Sequence, residues 1–344
     1  MKGNNLNGNH DLRGVNTNII SINKKNPNRE DEDTFEQKEI SNTLNNINYP
    51  VNSTNTDNMN TVSPDTIQKL KEIANQADIL ELEIISSISN QKGEKIKINS
   101  LGMLEKSKRK AYDGNTFFGF LGEEDDANEA NTDNLNNEID YVIKSKERNN
   151  DSKNIGRYFR IRYDLNSMGY LIKDLECGFG TFKKITEKTK LRDCYLINMG
   201  ISYIVCSFGI DELNLSETSI IIDADKILNI KVYSEIQNAE LHFFNPQQFK
   251  RIYIGRDASC NIIVDDTLLS RIHCTIEYKE GNGEGWYISD GKAGDDFIEE
   301  KPSTNGTWLC LMEETPIKDG MIFKSNQNQF KCKIIKQIKN KKQK

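Results

Sequence analysis

Two guanidinium groups, two hydroxyls and a carboxamide stand in three short clusters: Gly255-Arg256, Ser270-Arg271-Ile272-His273 and Ser303-Thr304-Asn305-Gly306-Thr307. Thirteen residues separate Arg256 from Ser270, and thirty separate His273 from Thr304. A phosphate monoester carries roughly −1.5 to −2 charge at pH 7 and three strong acceptor oxygens. Arginine answers it with charge-assisted, directional donors, and a serine or threonine hydroxyl adds a shorter one. Brought together, these clusters can therefore hold a phosphate. His273 has no Cys, His or carboxylate neighbour at ligand spacing. Its expected work is to hydrogen-bond and brace a loop, not to move protons or bind metal.

Each cluster lies between short, alternating, β-branched or aromatic runs that read as strands, so the clusters belong on loops at strand ends. The runs are Ile227 to Tyr233, Ala239 to Phe244, Arg251 to Gly255, Asn261 to Val264, His273 to Tyr278, Trp286 to Asp290, Thr307 to Leu311 and Phe330 to Ile335. In the last, Phe330, Cys332 and Ile334 alternate with Lys331 and Lys333, which gives one apolar and one wet face. An earlier series covers Lys95 to Met103, Thr116 to Leu121, Tyr141 to Ser145, Phe159 to Asp164, Tyr170 to Leu175 and Tyr195 to Phe208. Two β-sandwiches in tandem are expected, over 95–212 and 226–337. Before them, Ser63 and Pro64 open a pattern of Ile67, Leu70, Ala74, Ala77, Leu80, Ile84 and Ile88 that predicts one helix over 63–92. It is expected either to pair with another helix or to lean on the next domain.

Composition narrows the classes. Asn fills 17 of the first 60 positions, so residues 1–62 cannot bury enough apolar area to offset their ordering entropy, and a disordered tail is expected. The acidic, Asn-rich stretch from Glu123 to Glu138 reads as a mobile insertion. A net charge of −6, from 46 basic and 52 acidic residues, gives no nucleic-acid footprint. No run approaches the roughly 18 apolar residues of a membrane span, so a soluble, intracellular protein is expected, its compartment open. The seven cysteines form no C-x-x-C pair and read as reduced core residues. The basic end, 338–344, reads as a solvated tail or an import signal. Neither metal nor cofactor is expected. Gly178-Phe179-Gly180-Thr181 resembles the start of a kinase glycine loop, but the third glycine and the catalytic motifs that should follow are missing, and no other enzyme motif is present.

The three clusters, in this order and context, resemble the forkhead-associated (FHA) domain over residues 226–337. The resemblance implies a sandwich of about eleven strands that binds phosphothreonine peptides at one end. It implies that Arg256, Ser270, Arg271 and Thr304 hold the phosphate, that Asn305 grips the peptide backbone, and that Gly255, His273, Gly306 and Thr307 support the site. Residues 95–212 resemble the same fold more weakly. There Gly119-Phe120 replaces Gly-Arg, Gly156-Arg157-Tyr158-Phe159 replaces Ser-Arg-x-His, and Gly178-Phe179-Gly180-Thr181 replaces Thr-Asn-Gly-Thr. Only Arg157 then remains as a phosphate ligand, which predicts a structural or docking role for this half.

Residues 291–302 lengthen the loop before the third cluster and carry four acids against two lysines. Either their field favours basic residues beyond the phosphothreonine, or the stretch is a solvated insertion without effect on the ligand. Two functions follow: an adaptor that binds phosphothreonine proteins, or a phosphate-independent scaffold. Threonines in the tail, such as Thr34 and Thr54, add the idea of self-association through the tail, since tethering can supply millimolar effective concentration.

Overall fold

In the computed structural model the described residues are 62–87, 89–121, 138–144, 155–209, 224–234, 239–294 and 301–337. The expected tail, most of the Glu123–Glu138 insertion, the centre of the 291–302 loop and the basic end lie outside them.

The first element is a short helix, α1 (Pro64–Ile73). The Ser63 hydroxyl accepts the Thr66 N–H at 3.2 Å, Pro64 stands in the first turn with Asp65, and Lys71 sits in the last turn. Leu70 is buried on the sandwich behind it, and the Ser100 hydroxyl donates to its carbonyl at 2.9 Å. The predicted helix over 63–92 is thus cut to its first third. Residues Ile79–Ser86 form a strand, β1. Leu80, Leu82 and Ile84, at 0–1% exposure, alternate with Glu81 and Glu83, a period of two that fits a strand as well as the assumed helical spacing. Burying each of these three contributes roughly 1.5–3 kcal/mol.

The remaining strands of the first half are β2 (Lys95–Asn99), β3 (Gly102–Met103), β4 (Asn115–Phe120), β5 (Tyr141–Val142), β6 (Gly156–Asp164), β7 (Gly169–Asp174), β8 (Thr181–Lys184), β9 (Thr189–Lys190), β10 (Tyr195–Met199) and β11 (Ser202–Phe208). The second half supplies β12 (Leu228–Tyr233), β13 (Glu240–Phe244), β14 (Arg251–Gly255), β15 (Ile262–Ile263), β16 (Cys274–Lys279), β17 (Gly285–Asp290), β18 (Thr307–Cys310), β19 (Thr315–Pro316), β20 (Ile322–Ser325) and β21 (Asn328–Ile335). The all-β architecture expected from the sequence is present.

Two sandwiches share one layer. An eleven-stranded sheet runs β13-β12-β11-β10-β18-β8-β20-β21-β1-β2-β3, and two five-stranded sheets, β15-β14-β16-β17-β9 and β19-β7-β6-β4-β5, cover its two ends. The sequence boundaries at 95–212 and 226–337 do not separate the folded units. The first core joins Leu80, Phe118, Phe159 and Ile172 to Leu311, Phe323, Phe330 and Cys332. The second joins Ile254, Cys274, Trp286 and Ile288 to Ile185, Ile197, Met199 and Ile204. Each half therefore gives its last strands to the other sandwich: β9 pairs with β17, β19 with β7, and β21 with β1.

The chains cross at β8 and β18, which pair antiparallel with Lys183 opposite Leu309. Ile185 N–H donates to the Thr307 carbonyl at 2.8 Å, and Leu311 N–H donates to the Thr181 carbonyl at 2.9 Å, so the crossing is nearly two-fold symmetric. Just past it, Ile185 enters the second core and Leu311 the first.

This exchange makes the halves inseparable without unfolding. A chain cut at a protease site placed between Gly209 and Ala224 should yield two fragments that co-elute on size exclusion and separate only in denaturant. Fragments that part under native conditions would show two self-contained domains.

Candidate functional site

At one end of the second sandwich, β14 ends at Gly255 in a place with no room for a side chain. A Cβ there would lie 2.3 Å from the Arg271 carbonyl oxygen and 2.9 Å from the His273 nitrogen. That closeness zips two loops together: Arg256 N–H donates to the Ser270 carbonyl at 3.3 Å, and Asp257 N–H to the Arg271 carbonyl at 3.1 Å. The side chains of Arg256 and Arg271 are left exposed, and among the described residues neither is in an ion pair. Both guanidinium groups help hold the Asp257 carboxyl below the usual carboxylate range, behind the larger effect of the Ser259 N–H and hydroxyl.

The other two clusters meet directly. Thr304 N–H donates to the Ser270 hydroxyl oxygen at 2.9 Å, and that hydroxyl donates to the Thr304 hydroxyl oxygen at 3.3 Å. The Asn305 amide donates to the Leu268 carbonyl at 2.7 Å, which ties the two loops at their tips. Gly306 turns the chain with φ +80°, and a Cβ there would lie 2.7 Å from Lys184 Cε. A left-handed residue with no side chain is required at this point.

His273 is fully buried beneath these loops. Its Nδ1 accepts the Ser270 N–H at 3.1 Å, and its Nε2 lies 3.1 Å from the Gly306 carbonyl. Both contacts are satisfied at once only by the neutral ring protonated on Nε2. Burial pushes its pKa below the usual imidazole value, against the opposing pull of the Gly306 carbonyl and two carboxylates. The ring joins the Ser270 loop to the Gly306 turn.

Sequence reasoning missed two carboxylates that act as struts. Asp290 accepts the hydroxyls of Ser303 and Thr307, both at 2.7 Å, through one oxygen and the Ser303 N–H at 3.2 Å through the other. Asp266, at 1% exposure, accepts Leu268 N–H at 2.8 Å on one oxygen, and Ile201 N–H at 3.0 Å and the Ser202 hydroxyl at 2.9 Å on the other. Residues 201 and 202 belong to the β10–β11 hairpin given by the first half. A Cβ on Gly200 (φ +57°) would lie 2.7 Å from the Asp266 carboxylate. A lone Asp in a loop gives no sequence signal beyond a turn, and this partner lies 64 residues away.

The corresponding end of the first sandwich is built from the same turns without the chemistry. A Cβ on Gly119 would lie 2.1 Å from the Gly156 carbonyl oxygen, as Gly255 meets Arg271. Phe159 pairs with Asp174 as Cys274 pairs with Asp290. By this register Tyr158, not Phe159, takes the place of His273, and Arg157 takes the place of Ile272. The expectation that Arg157 stands as a phosphate ligand is thus corrected by one residue. The cause is the bulge between Phe118 and Gly119. The Arg157 guanidinium instead pairs with Glu138 at 3.0 Å and lies 4.4 Å over the Phe117 ring. Phe120, Ile155, Gly156, Gly178 and Phe179 occupy the positions of Arg256, Ser270, Arg271, Thr304 and Asn305.

Residues 252–324 match the family model of the FHA domain, so the chain carries an FHA domain there. No curated protein matches the chain. The matched segment runs through β20, which lies in the other sandwich, so the contiguous family unit and the folded unit differ. All seven cysteines are free thiols. Among the described residues, no helix is long and apolar enough to cross a membrane.

The brace has a pH signature. Because the folded-state value of His273 is depressed, its contribution is complete above about pH 6.5 and is lost as pH falls through the folded value. Replacing His273 with Ala strands the Ser270 N–H and the Gly306 carbonyl, and should lower stability at pH 7 by about 2–3 kcal/mol. Thermal unfolding between pH 7 and pH 5 should fall less steeply in the variant than in the wild type. His242, also depressed by burial, adds to the slope that remains, and Asp174, pushed up to about 6 by burial, opposes it.

Proposed function

We propose that the second sandwich reads phosphothreonine on partner proteins. FHA domains are phosphopeptide-binding interaction modules, and the finer reading concerns this rim. Arg256 and Arg271 neutralise the phosphate, Ser270 and Thr304 donate hydroxyl and amide hydrogens to its oxygens, and Asn305 holds the peptide backbone. Gly255, His273, Gly306 and Thr307 keep these groups in place. The observation that carries the reading is the meeting of the Ser270 and Thr304 hydroxyls at 3.3 Å beside two exposed arginines that are in no ion pair among the described residues. Donors gathered in advance at one point lower the ordering cost of binding an anion.

The first sandwich serves, in this reading, as an eroded copy of the same fold. It is a platform without a phosphate site, because hydrophobic side chains and glycines stand where the ligands would be. The protein is then a non-enzymatic adaptor.

The full chain titrated with a degenerate phosphothreonine peptide pool should show saturable binding, with weaker or no response to phosphoserine and unphosphorylated pools. Arg256→Ala should weaken it roughly 10- to 100-fold, the worth of one charge-assisted pair at about 1.5–3 kcal/mol. Equal binding to all pools, or none, would favour the phosphate-independent scaffold.

A further inference from the structure

The outer face of the eleven-stranded sheet is unlike an ordinary wet sheet surface where the two halves cross. Strand alternation turns Leu196 and Asn198 of β10, Trp308 and Cys310 of β18, Phe182 and Lys184 of β8, and Ile322 and Lys324 of β20 to this side. No acidic residue is among them. Two ammonium groups share one indole: Lys324 Nζ lies 4.8 Å and Lys184 Nζ 5.9 Å from the Trp308 ring. Among the described residues neither lysine is in an ion pair. Among the described strands of this sheet, the acids on the same side as these lysines nearest in strand order are Glu81 and Glu83 of β1, beyond the whole of β21, and Glu81 already faces Lys95 at 3.6 Å.

This patch is continuous with the rim. Trp308 Nε1 donates to the Asn305 carbonyl at 3.0 Å, and the Lys184 ammonium lies 3.4 Å from where a Cβ on Gly306 would be. Lys324 donates to the Asn198 side-chain oxygen, and Asn198 in turn donates to the Ser202 carbonyl at 3.2 Å in the hairpin that supports Asp266. Lys324 also lies close enough to His273 to oppose its protonation. An aromatic face offsets part of the cost of desolvating an ammonium but supplies no acceptor atoms for its hydrogens. Two like charges gathered at one ring, with the neutral Asn198 oxygen as an acceptor and no ion pair among the described residues, leave their charge unbalanced.

We propose that Lys184 and Lys324 form a second anion subsite, beside the phosphothreonine rim, that takes a carboxylate or a second phosphate carried by the same peptide. The proposal rests on the phosphothreonine reading above. It gives the strand exchange a functional consequence, because Lys184 belongs to the first half and reaches Trp308 only through the β8–β18 pairing. Burial, which pushes Lys324 down to about 8, is the state a bound anion would relieve. Adding an anion at this point discriminates among phosphothreonine peptides that the rim alone treats alike.

The test uses the full chain and one phosphothreonine peptide with alanine at all flanking positions. Glutamate, and separately phosphoserine, is placed at each flanking position in turn, and affinity is measured by calorimetry for wild type, Lys184→Gln and Lys184→Gln/Lys324→Gln. Thermal melts check that the variants fold. At one position or two adjacent ones, glutamate should raise wild-type affinity roughly five-fold and phosphoserine should raise it more. The gain should shrink in the single variant and vanish in the double, where acidic and alanine peptides bind alike. A phosphoserine gain without a glutamate gain would assign the subsite to a second phosphate. Acidic peptides that gain nothing, or whose gain survives the double substitution, overturn the subsite and leave the rim standing. Failure of every phosphothreonine peptide, including the alanine one, overturns the rim and the subsite together.

Discussion

The structure depends on one pairing, the antiparallel contact of β8 with β18. At its centre two chain segments related by an approximate two-fold axis exchange backbone hydrogen bonds, and on either side each segment passes into the sandwich that the other half began. Without this pairing the eleven-stranded sheet would divide into two, and the inner edges of β8 and β18 would need new partners. An exposed inner edge is a template for aggregation, so joining the two sheets also removes a hazard. The outer side of the joint is closed by Phe182, Leu196 and Trp308, which form a small third cluster where a tandem pair would have only a linker.

The rim inherits its rigidity from that arrangement. Its loops carry few apolar contacts of their own and are held by polar struts: His273 between the Ser270 and Gly306 turns, Asp290 under Ser303 and Thr307, and Asp266 against the β10–β11 hairpin. Each strut is buried or half-buried and is satisfied at more than one atom, which is the condition for a polar network to specify a geometry. Two of the three are made within the second half. The third crosses to the first half, so the rim loops and the exchanged hairpin are joined through one carboxylate. A change in the first half can reach the rim through Ile201 and Ser202 without touching any residue of the matched family segment.

Much of the site was legible in the sequence because its residues are specified locally. Gly255 and Gly306 are demanded by close approach and positive φ, and the hydroxyl and guanidinium positions follow within one or two residues of them. Strand existence was legible from alternation, as in β21, where Phe330 and Cys332 are buried and Lys331 and Lys333 exposed. The failures have physical reasons. The segment Ile79–Ser86 carries apolar residues that satisfy both a three-to-four and a two-residue period, and its location between β2 and β21, not its pattern, decides for strand. The register around Arg157 slipped because a bulge inserts one residue that no local motif announces. The exchange was illegible altogether, since alternation along a strand says which of its faces is buried and not which sheet it joins.

The two ends of the molecule share a backbone frame and differ in the side chains it carries. Both sandwiches keep a glycine near the end of a strand, Gly119 in β4 and Gly255 in β14, with the facing carbonyl 2.1 Å and 2.3 Å from the missing Cβ, and both keep a threonine at the crossing, Thr181 and Thr307. The backbone frame is therefore shared. What differs is what the frame holds. In the second sandwich a buried imidazole bonds both loops. In the first, Tyr158 fills that place, packs against the Gly178 turn, and bonds the Asn326 side chain from the exchanged hairpin. Phe120 and Phe179 replace a guanidinium and a carboxamide, so no charge awaits an anion there. Retaining the frame without the ligands is what the exchange requires: the first sandwich must remain folded to lend β9, β10 and β11, whether or not it binds anything itself.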